Sequence, residues 1–176
     1  MDHANLWAPW RMPYILGLTD EDAAAPAPGG SACFLCDAAA TGPGGDDARR
    51  RLLLLNDARG LILLNRYPYT NGHLLIAPRE HVGGLSDLTA DQRAGVIELT
   101  ALAERLLRTA VNPQGMNMGV NLGRCAGAGL PGHVHVHVVP RWAGDTNFME
   151  TVGRVRVIPQ ALESSYDHLA ATLAKL

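Results

Sequence analysis

The chain has 176 residues, of which 47% are hydrophobic and 18% are charged, and its formal net charge is −2. This length predicts a single globular domain, and the near-neutral charge argues against the overall basic surface on which nucleic-acid binding depends. The odd number of cysteines, and the lack of a long apolar run or a signal-peptide pattern, predict a cytoplasmic protein with no membrane segment.

The beginning of the chain is predicted to lack regular structure. Residues 1–18 include Trp7 and Trp10, and we expect this apolar arm to dock on the body of the domain or on a partner subunit. Residues 19–31 are acidic and then rich in Ala, Pro and Gly, which predicts a flexible linker. Arm and linker are assigned to one domain that spans residues 1–176.

Five strands and two main helices are predicted after the linker. The strands are expected at residues 52–55, 61–64, 73–77, 116–122 and 133–139. His73 is interpreted as a polar residue at a strand start. Thr89 and Gln92 form a capping box, and apolar residues at helical spacing then predict one long helix that ends at Asn112-Pro113.

The order of these elements predicts the fold class. A final amphipathic helix is indicated by Leu162, Tyr166, Leu169 and Leu173, which recur at helical spacing. One long helix cannot cover both faces of a parallel sheet. The sequence therefore predicts an α+β fold with an antiparallel five-stranded sheet, one long helix and a C-terminal helix.

Three histidines alternate with valines in His133-Val-His-Val-His137-Val-Val139. A strand sends successive side chains to opposite faces, so the three imidazoles share one face and the valines face the core. A strand with a purely structural polar face is the alternative. A neutral imidazole is a nucleophile at neutral pH and can attack a phosphorus atom, so we interpret this face as a catalytic site.

A glycine-rich loop lies directly before the histidines, from Asn121 to Gly132. Closely spaced glycines allow backbone N–H groups to converge on an anion. Beside a row of histidines, the loop is interpreted as a phosphate cradle next to a nucleophile.

The histidine motif resembles the signature of the histidine triad family, His-φ-His-φ-His-φ-φ, in which φ is apolar. The resemblance continues through Leu6–Arg11, Leu64–Pro78 and Pro140–Met149, and in this extended form it is similar to the bacterial branch of diadenosine tetraphosphate phosphorylases. It implies a homodimeric nucleotidyltransferase that acts on dinucleoside polyphosphates, with inorganic phosphate as the acceptor. The alternatives are a hydrolase that releases AMP and a non-catalytic module that binds nucleotide or zinc.

The resemblance also implies roles for individual residues. His135 is the expected nucleophile, His137 donates to phosphoryl oxygens or to the leaving group, and His133 completes the triad. The residues expected to bind nucleotide or phosphate are Asn65, Asn121, Gly127, Ala128, Gly129 and Trp142. For Asn65, plain turn chemistry is the alternative. The chain has Leu130 where other branches carry a hydroxyl residue, which argues against the nucleoside phosphoramidase branch.

Cys33-Phe-Leu-Cys36 has the spacing of half a zinc site. The resemblance implies that His81 and His133 supply the other two ligands of a structural Zn²⁺ ion. A redox dithiol and a pair of inert thiols are the alternatives. A further hypothesis is that the three triad histidines ligate one catalytic metal. Alternate residues of a strand are spaced too far apart for their side chains to reach one ion easily.

Overall fold

The computed structural model describes residues 33–42, 44–145 and 158–176, so the predicted arm and linker at residues 1–31 lie outside the described residues. The helices of the described part are α1 (Phe34–Ala39), α2 (Gly45–Arg51), α3 (Ala90–Val111) and α4 (Leu162–Leu173). The strands are β1 (Leu53–Asp57), β2 (Gly60–Leu64), β3 (Leu74–Ala77), β4 (Gly115–Val120) and β5 (Val136–Arg141). In this part of the chain, no helix combines the length and the apolar character needed to cross a membrane.

The strands form one antiparallel sheet in the order β1-β2-β3-β5-β4. Helices α3 and α4 cover one face, where Ile62, Leu64 and Val138 join the main core. Helix α1 packs on the other face at the β1–β2 end, where Leu61 and Leu63 contribute to a second cluster. The predicted α+β fold, with its long helix and its C-terminal helix, is confirmed.

The long helix α3 begins where the sequence predicts. Thr89 Oγ1 accepts the Gln92 backbone N–H at 3.2 Å, and Gln92 Oε1 accepts the Thr89 backbone N–H at 2.8 Å. This reciprocal capping box satisfies two N–H groups that have no partner within the helix. Asn112 ends the helix in the left-handed conformation, with φ of 42°, which asparagine tolerates better than most residues.

The β1–β2 hairpin depends on a glycine. Gly60 has φ of 140°, and a Cβ atom at this position would lie 2.4 Å from the carbonyl oxygen of Ala77 on β3. A side chain here would therefore force β2 and β3 apart.

The histidine strand starts later than predicted. The expected strand at 133–139 joins the sheet only from Val136, because its neighbour β3 ends at Ala77 and Pro78 has no N–H to offer. The Val134 backbone N–H donates instead to the carbonyl oxygen of Val82, at 2.7 Å. The chain before Val136 therefore pairs with the loop after β3, and His133 lies outside the regular sheet.

Candidate active site

The middle histidine is held by a backbone carbonyl. His135 Nδ1 lies 2.8 Å from the carbonyl oxygen of His133, and the residue is 7% exposed. A carbonyl oxygen only accepts hydrogen bonds, so Nδ1 carries the proton and Nε2 keeps its lone pair. The geometry thus leaves the Nε2 atom of His135 with a free lone pair, which is the form of imidazole that can act as a nucleophile.

The third histidine is held in the opposite tautomer by His73. The Tyr69 backbone N–H donates to His73 Nδ1 at 3.1 Å, so the proton of His73 is on Nε2. His73 Nε2 lies 3.0 Å from His137 Nδ1 and donates to it. The proton of His137 is therefore on Nε2, where it can be donated to a substrate.

Burial keeps this histidine pair neutral. Removal from water, together with the smaller effects of the neighbouring His137 and His135, lowers the pKa of fully buried His73 to about 3. Burial, and secondarily His135, also lowers the pKa of His137. Neither histidine gains a second proton near neutral pH, so the two tautomers persist under those conditions.

An aromatic ring covers this pair. The Tyr69 ring lies 4.7 Å from the His73 ring and 5.9 Å from the His137 ring, measured between centroids. Its plane is within 23° of the His137 plane, and the side chain is 43% exposed. Tyr69 therefore lies beside both rings at the distances typical of aromatic pairs.

Four residues from three chain segments meet beside the histidines. Cys33, Cys36, His81 and His133 each offer one ligand atom, and these atoms all lie within 4.8 Å of one another. His133 Nδ1 is 3.2 Å from Cys33 Sγ and 3.6 Å from Cys36 Sγ, and His81 Nδ1 is 3.3 Å from Cys36 Sγ. Tetrahedral zinc with S and N ligands separates neighbouring donors by roughly 3.5 Å, so the cluster could hold such an ion.

The protonation of the cluster also suits a metal. His133 Nε2 lies 3.0 Å from the carbonyl oxygen of Pro78, so it carries the proton and Nδ1 faces the sulfurs with its lone pair. Burial lowers the pKa of His133 and raises that of the Cys36 thiol to about 11. A cation would oppose the second effect, because a thiol gives up its proton on binding a metal.

The glycine-rich loop bends back on itself. Gly127 has φ of 91° and donates its N–H to the Arg124 carbonyl oxygen at 2.8 Å, and Ala128 donates to the Gly123 carbonyl oxygen at 3.2 Å. The Asn121 side-chain amide donates to the Gly127 carbonyl oxygen at 3.4 Å. Asn121 is thus joined to the loop, while two of the N–H groups expected to meet phosphate are bonded within it.

Asn65 and Trp142 lie at the ends of strands. Asn65 follows β2; its side-chain oxygen accepts the Tyr67 backbone N–H at 3.0 Å, and its side-chain nitrogen lies 3.2 Å from His73 Nδ1. These contacts combine turn chemistry with a position beside the histidines. Trp142 follows β5 in a turn closed by the Asp145 N–H, which donates to the Trp142 carbonyl oxygen at 3.1 Å.

Comparison with known proteins places this chain in a family. A family model described as "HIT domain" matches residues 49–144. A curated relative named AP-4-A phosphorylase, from Mycobacterium tuberculosis, is 42% identical over 130 residues, which cover 69% of this chain and 67% of the relative. The chain belongs to the histidine triad (HIT) family.

Two further matches extend the comparison. The bis(5'-nucleosyl)-tetraphosphatase (asymmetrical) of Schizosaccharomyces pombe is 30% identical over 82 residues, or 47% of this chain and 44% of that protein. A crystal structure of a Zn-bound histidine triad family protein from Mycobacterium smegmatis is 29% identical, with a TM-score of 0.62. That alignment covers 81% of this chain and 94% of the other.

Sequence reasoning missed the place of His73 in this HIT site. His73 precedes β3, and the β3–β5 register pairs Leu75 with His137. Side chains two residues apart on a strand share a face, so His73 and His137 face the same side. A histidine at this position could have been singled out only with knowledge that β3 and β5 are neighbours, which the sequence pattern does not give.

Proposed function

We propose that this HIT protein is a nucleotidyltransferase that acts on dinucleoside polyphosphates such as diadenosine tetraphosphate, with inorganic phosphate as the acceptor. The observation that carries the proposal is the pair of opposite tautomers. His135 presents an Nε2 lone pair, and His137 presents an Nε2–H, and their rings are 5.0 Å apart. One side chain can attack while the other stabilises the group that leaves.

The reaction then has two steps. The Nε2 atom of His135 attacks the α-phosphorus, an N–P bond forms, and the bond to the bridging oxygen breaks. The leaving nucleotide takes the electron pair, and the His137 Nε2–H donates a hydrogen bond to it. In the second step phosphate attacks the nucleotidyl-histidine, which frees His135, so that diadenosine tetraphosphate and phosphate yield ATP and ADP.

Phosphorolysis is preferred to hydrolysis because the Mycobacterium tuberculosis relative is named a phosphorylase and aligns over 69% of this chain. The Schizosaccharomyces pombe relative is named a tetraphosphatase, which keeps hydrolysis as the second candidate. Roles in nucleotide or phosphate binding are proposed for Asn65, Asn121, Gly127, Ala128, Gly129 and Trp142. A binding module without catalysis has less support, since binding alone does not require a nucleophile between two other histidines.

The test is product analysis with diadenosine tetraphosphate, with and without inorganic phosphate. Formation of ATP and ADP only when phosphate is present supports a phosphorylase. Release of AMP without phosphate identifies a hydrolase instead. Absence of turnover in both conditions contradicts the proposed substrate and favours the binding module.

We also propose that Cys33, Cys36, His81 and His133 hold a zinc ion. A site with four protein ligands is closed, so the ion would serve a structural purpose. The contacts of the triad disfavour one shared catalytic metal, because His133 Nδ1 faces the sulfurs and His137 Nδ1 accepts from His73. Metal analysis should find about one zinc per chain, lost in a Cys33/Cys36 double variant. Full retention there would favour the triad as the ligand set.

A homodimer and a cytoplasmic location remain proposals, as does the assignment of residues 1–176 to one domain. For the homodimer, support comes from β4, which is an edge strand of the sheet that the described residues form and which carries Met118 with 43% of its surface exposed. An edge strand has free backbone groups on which a second sheet can pair. Sedimentation of the wild type and of Met118→Lys tests this, and a monomeric wild type contradicts it.

A further inference from the structure

His133 makes contacts in three directions at once. Its Nδ1 atom faces the sulfurs of Cys33 and Cys36, its Nε2–H donates to the Pro78 carbonyl oxygen, and its own carbonyl oxygen accepts the Nδ1–H of His135. The His133 side chain is completely buried. The same residue therefore belongs to the Cys/His cluster through its ring and to the nucleophile through its backbone.

We propose that the Cys/His cluster sets the reactivity of the nucleophile, and that His133 is the positioning residue through which metal occupancy fixes the tautomer and direction of His135. The inference rests on the proposed function for the chemistry that His135 performs. The cluster thus has a measurable effect on the turnover step, in addition to any structural role of its metal.

Among the described residues, the backbone around His133 has few other hydrogen bonds. In the regular sheet a strand is bonded to its neighbours on every second residue, but β5 begins only at Val136. Before that point the His133 N–H reaches the Leu130 carbonyl oxygen at 3.4 Å, a long contact, and Val134 donates to the Val82 carbonyl oxygen at 2.7 Å. The direction of the His133 carbonyl therefore depends largely on the ring of the same residue and on the loop at Val82.

That loop carries the other histidine of the cluster. His81 precedes Val82, so a ligand atom and the acceptor of the Val134 N–H belong to adjacent residues. A Cβ atom at Gly132 would lie 3.1 Å from His81 Nε2, and one at Gly83 would lie 3.0 Å from the Pro131 carbonyl oxygen. The loop and the segment before His133 are thus in close contact, and a metal that holds His81 and His133 restrains both.

The bonds that hold this arrangement differ in strength with and without an ion. Thiols are weak hydrogen-bond donors and acceptors, so the contacts of 3.2 to 3.6 Å between sulfur and nitrogen restrain the rings only slightly by themselves. Zinc–ligand bonds are short and directional. Loss of the ion should release the His133 ring, free its carbonyl and allow His135 to adopt either tautomer, one of which has its proton on the attacking atom.

The test follows the His135 tautomer and the kinetics as zinc is removed and returned. The wild-type protein is stripped with a chelator and then reloaded with zinc alone. The tautomer is read from two-bond ¹⁵N–¹H spectra of the histidines, and kcat and KM are measured with diadenosine tetraphosphate. We expect the Nδ1–H form with zinc and a mixture without it, and a fall in kcat of about 10- to 100-fold on stripping, as for other supporting contacts. KM should change less than about threefold, since the site for the nucleotide is not removed.

A matched pair of exposed histidines provides the control. His81→Asn removes one ligand, and His168→Asn changes a histidine on α4 that donates to the Ala110 carbonyl oxygen. For His81→Asn we expect the zinc concentration that restores both kcat and tautomer to rise at least about tenfold. His168→Asn should behave as the wild type does.

Three outcomes overturn the inference. Metal analysis that shows complete loss of zinc, with tautomer and kcat unchanged, removes the link between cluster and nucleophile. The link is also removed if kcat and the Nδ1–H tautomer of His135 recover at different zinc concentrations. Global unfolding on removal of zinc, seen by circular dichroism, would show that the ion holds the whole domain and has no separate effect on His135. If the loaded wild type lacks turnover, the proposed function fails, while the tautomer measurement still tests the positioning role.

Discussion

Acid should destabilise this protein through His73, and the structure gives the size of the effect. Burial, with smaller contributions from His137 and His135, lowers the pKa of His73 from 6.5 to about 3. At a pH between these two pKa values, His73 binds a proton in the unfolded chain but not in the folded chain. The free energy of unfolding therefore falls as the pH falls. The slope is about 1.4 kcal/mol per pH unit, which amounts to a loss of about 2 kcal/mol between pH 7 and pH 5.

The His73→Gln variant isolates this contribution. Glutamine has no proton to gain, and its side-chain NH₂ can take the place of Nε2–H and donate to His137. Urea denaturation of both proteins at pH 7, 6 and 5 measures the free energy of unfolding. We expect the wild type to lose about 2 kcal/mol more than the variant over this range, whatever the other histidines contribute to both. Equal losses in the two proteins would refute the assignment of a neutral, buried His73.

Three further predictions follow from single contacts. His135→Ala should abolish turnover of diadenosine tetraphosphate but leave nucleotide binding measurable by calorimetry; surviving turnover would exclude the proposed nucleophile. Thr89→Ala removes one half of the capping box on α3 and should lower the free energy of unfolding by about 1 kcal/mol. Gly60→Ala should lower it by about 2–4 kcal/mol in the same assay, because of its φ of 140° and the approach of its Cβ to 2.4 Å from the Ala77 oxygen. A neutral Gly60→Ala would show that the hairpin can shift at no cost.

Much of the fold could be predicted because its signals are local. The capping box at Thr89 and Gln92 and the apolar spacing after it mark α3, and the alternating valines mark the core side of β5. The short helix α2 was missed. It contains a run of charged residues with no apolar stripe, and it ends at Leu52, which has φ of 60° and delays the start of β1 by one residue.

The site could be predicted only in part, for a physical reason. Alternation within one strand places His133, His135 and His137 on one side, but it does not reveal what each ring nitrogen meets. Those partners come from the Pro78 carbonyl, the His133 carbonyl and His73, and two of the three are distant in sequence. The tautomers, on which nucleophile and donor depend, are therefore properties of the fold and cannot be inferred from the motif.

The alternating histidines and valines of the motif do not all belong to one regular strand. Only His137 lies within β5, where the ladder fixes its backbone and a neighbouring side chain fixes its ring. His133 and His135 precede the ladder, and there the His133 carbonyl oxygen accepts the Nδ1–H of His135. The end of β3 before Pro78 thus leaves His133 outside the ladder, and the Pro78 carbonyl oxygen accepts the His133 Nε2–H, so that the His133 Nδ1 atom faces the cysteines.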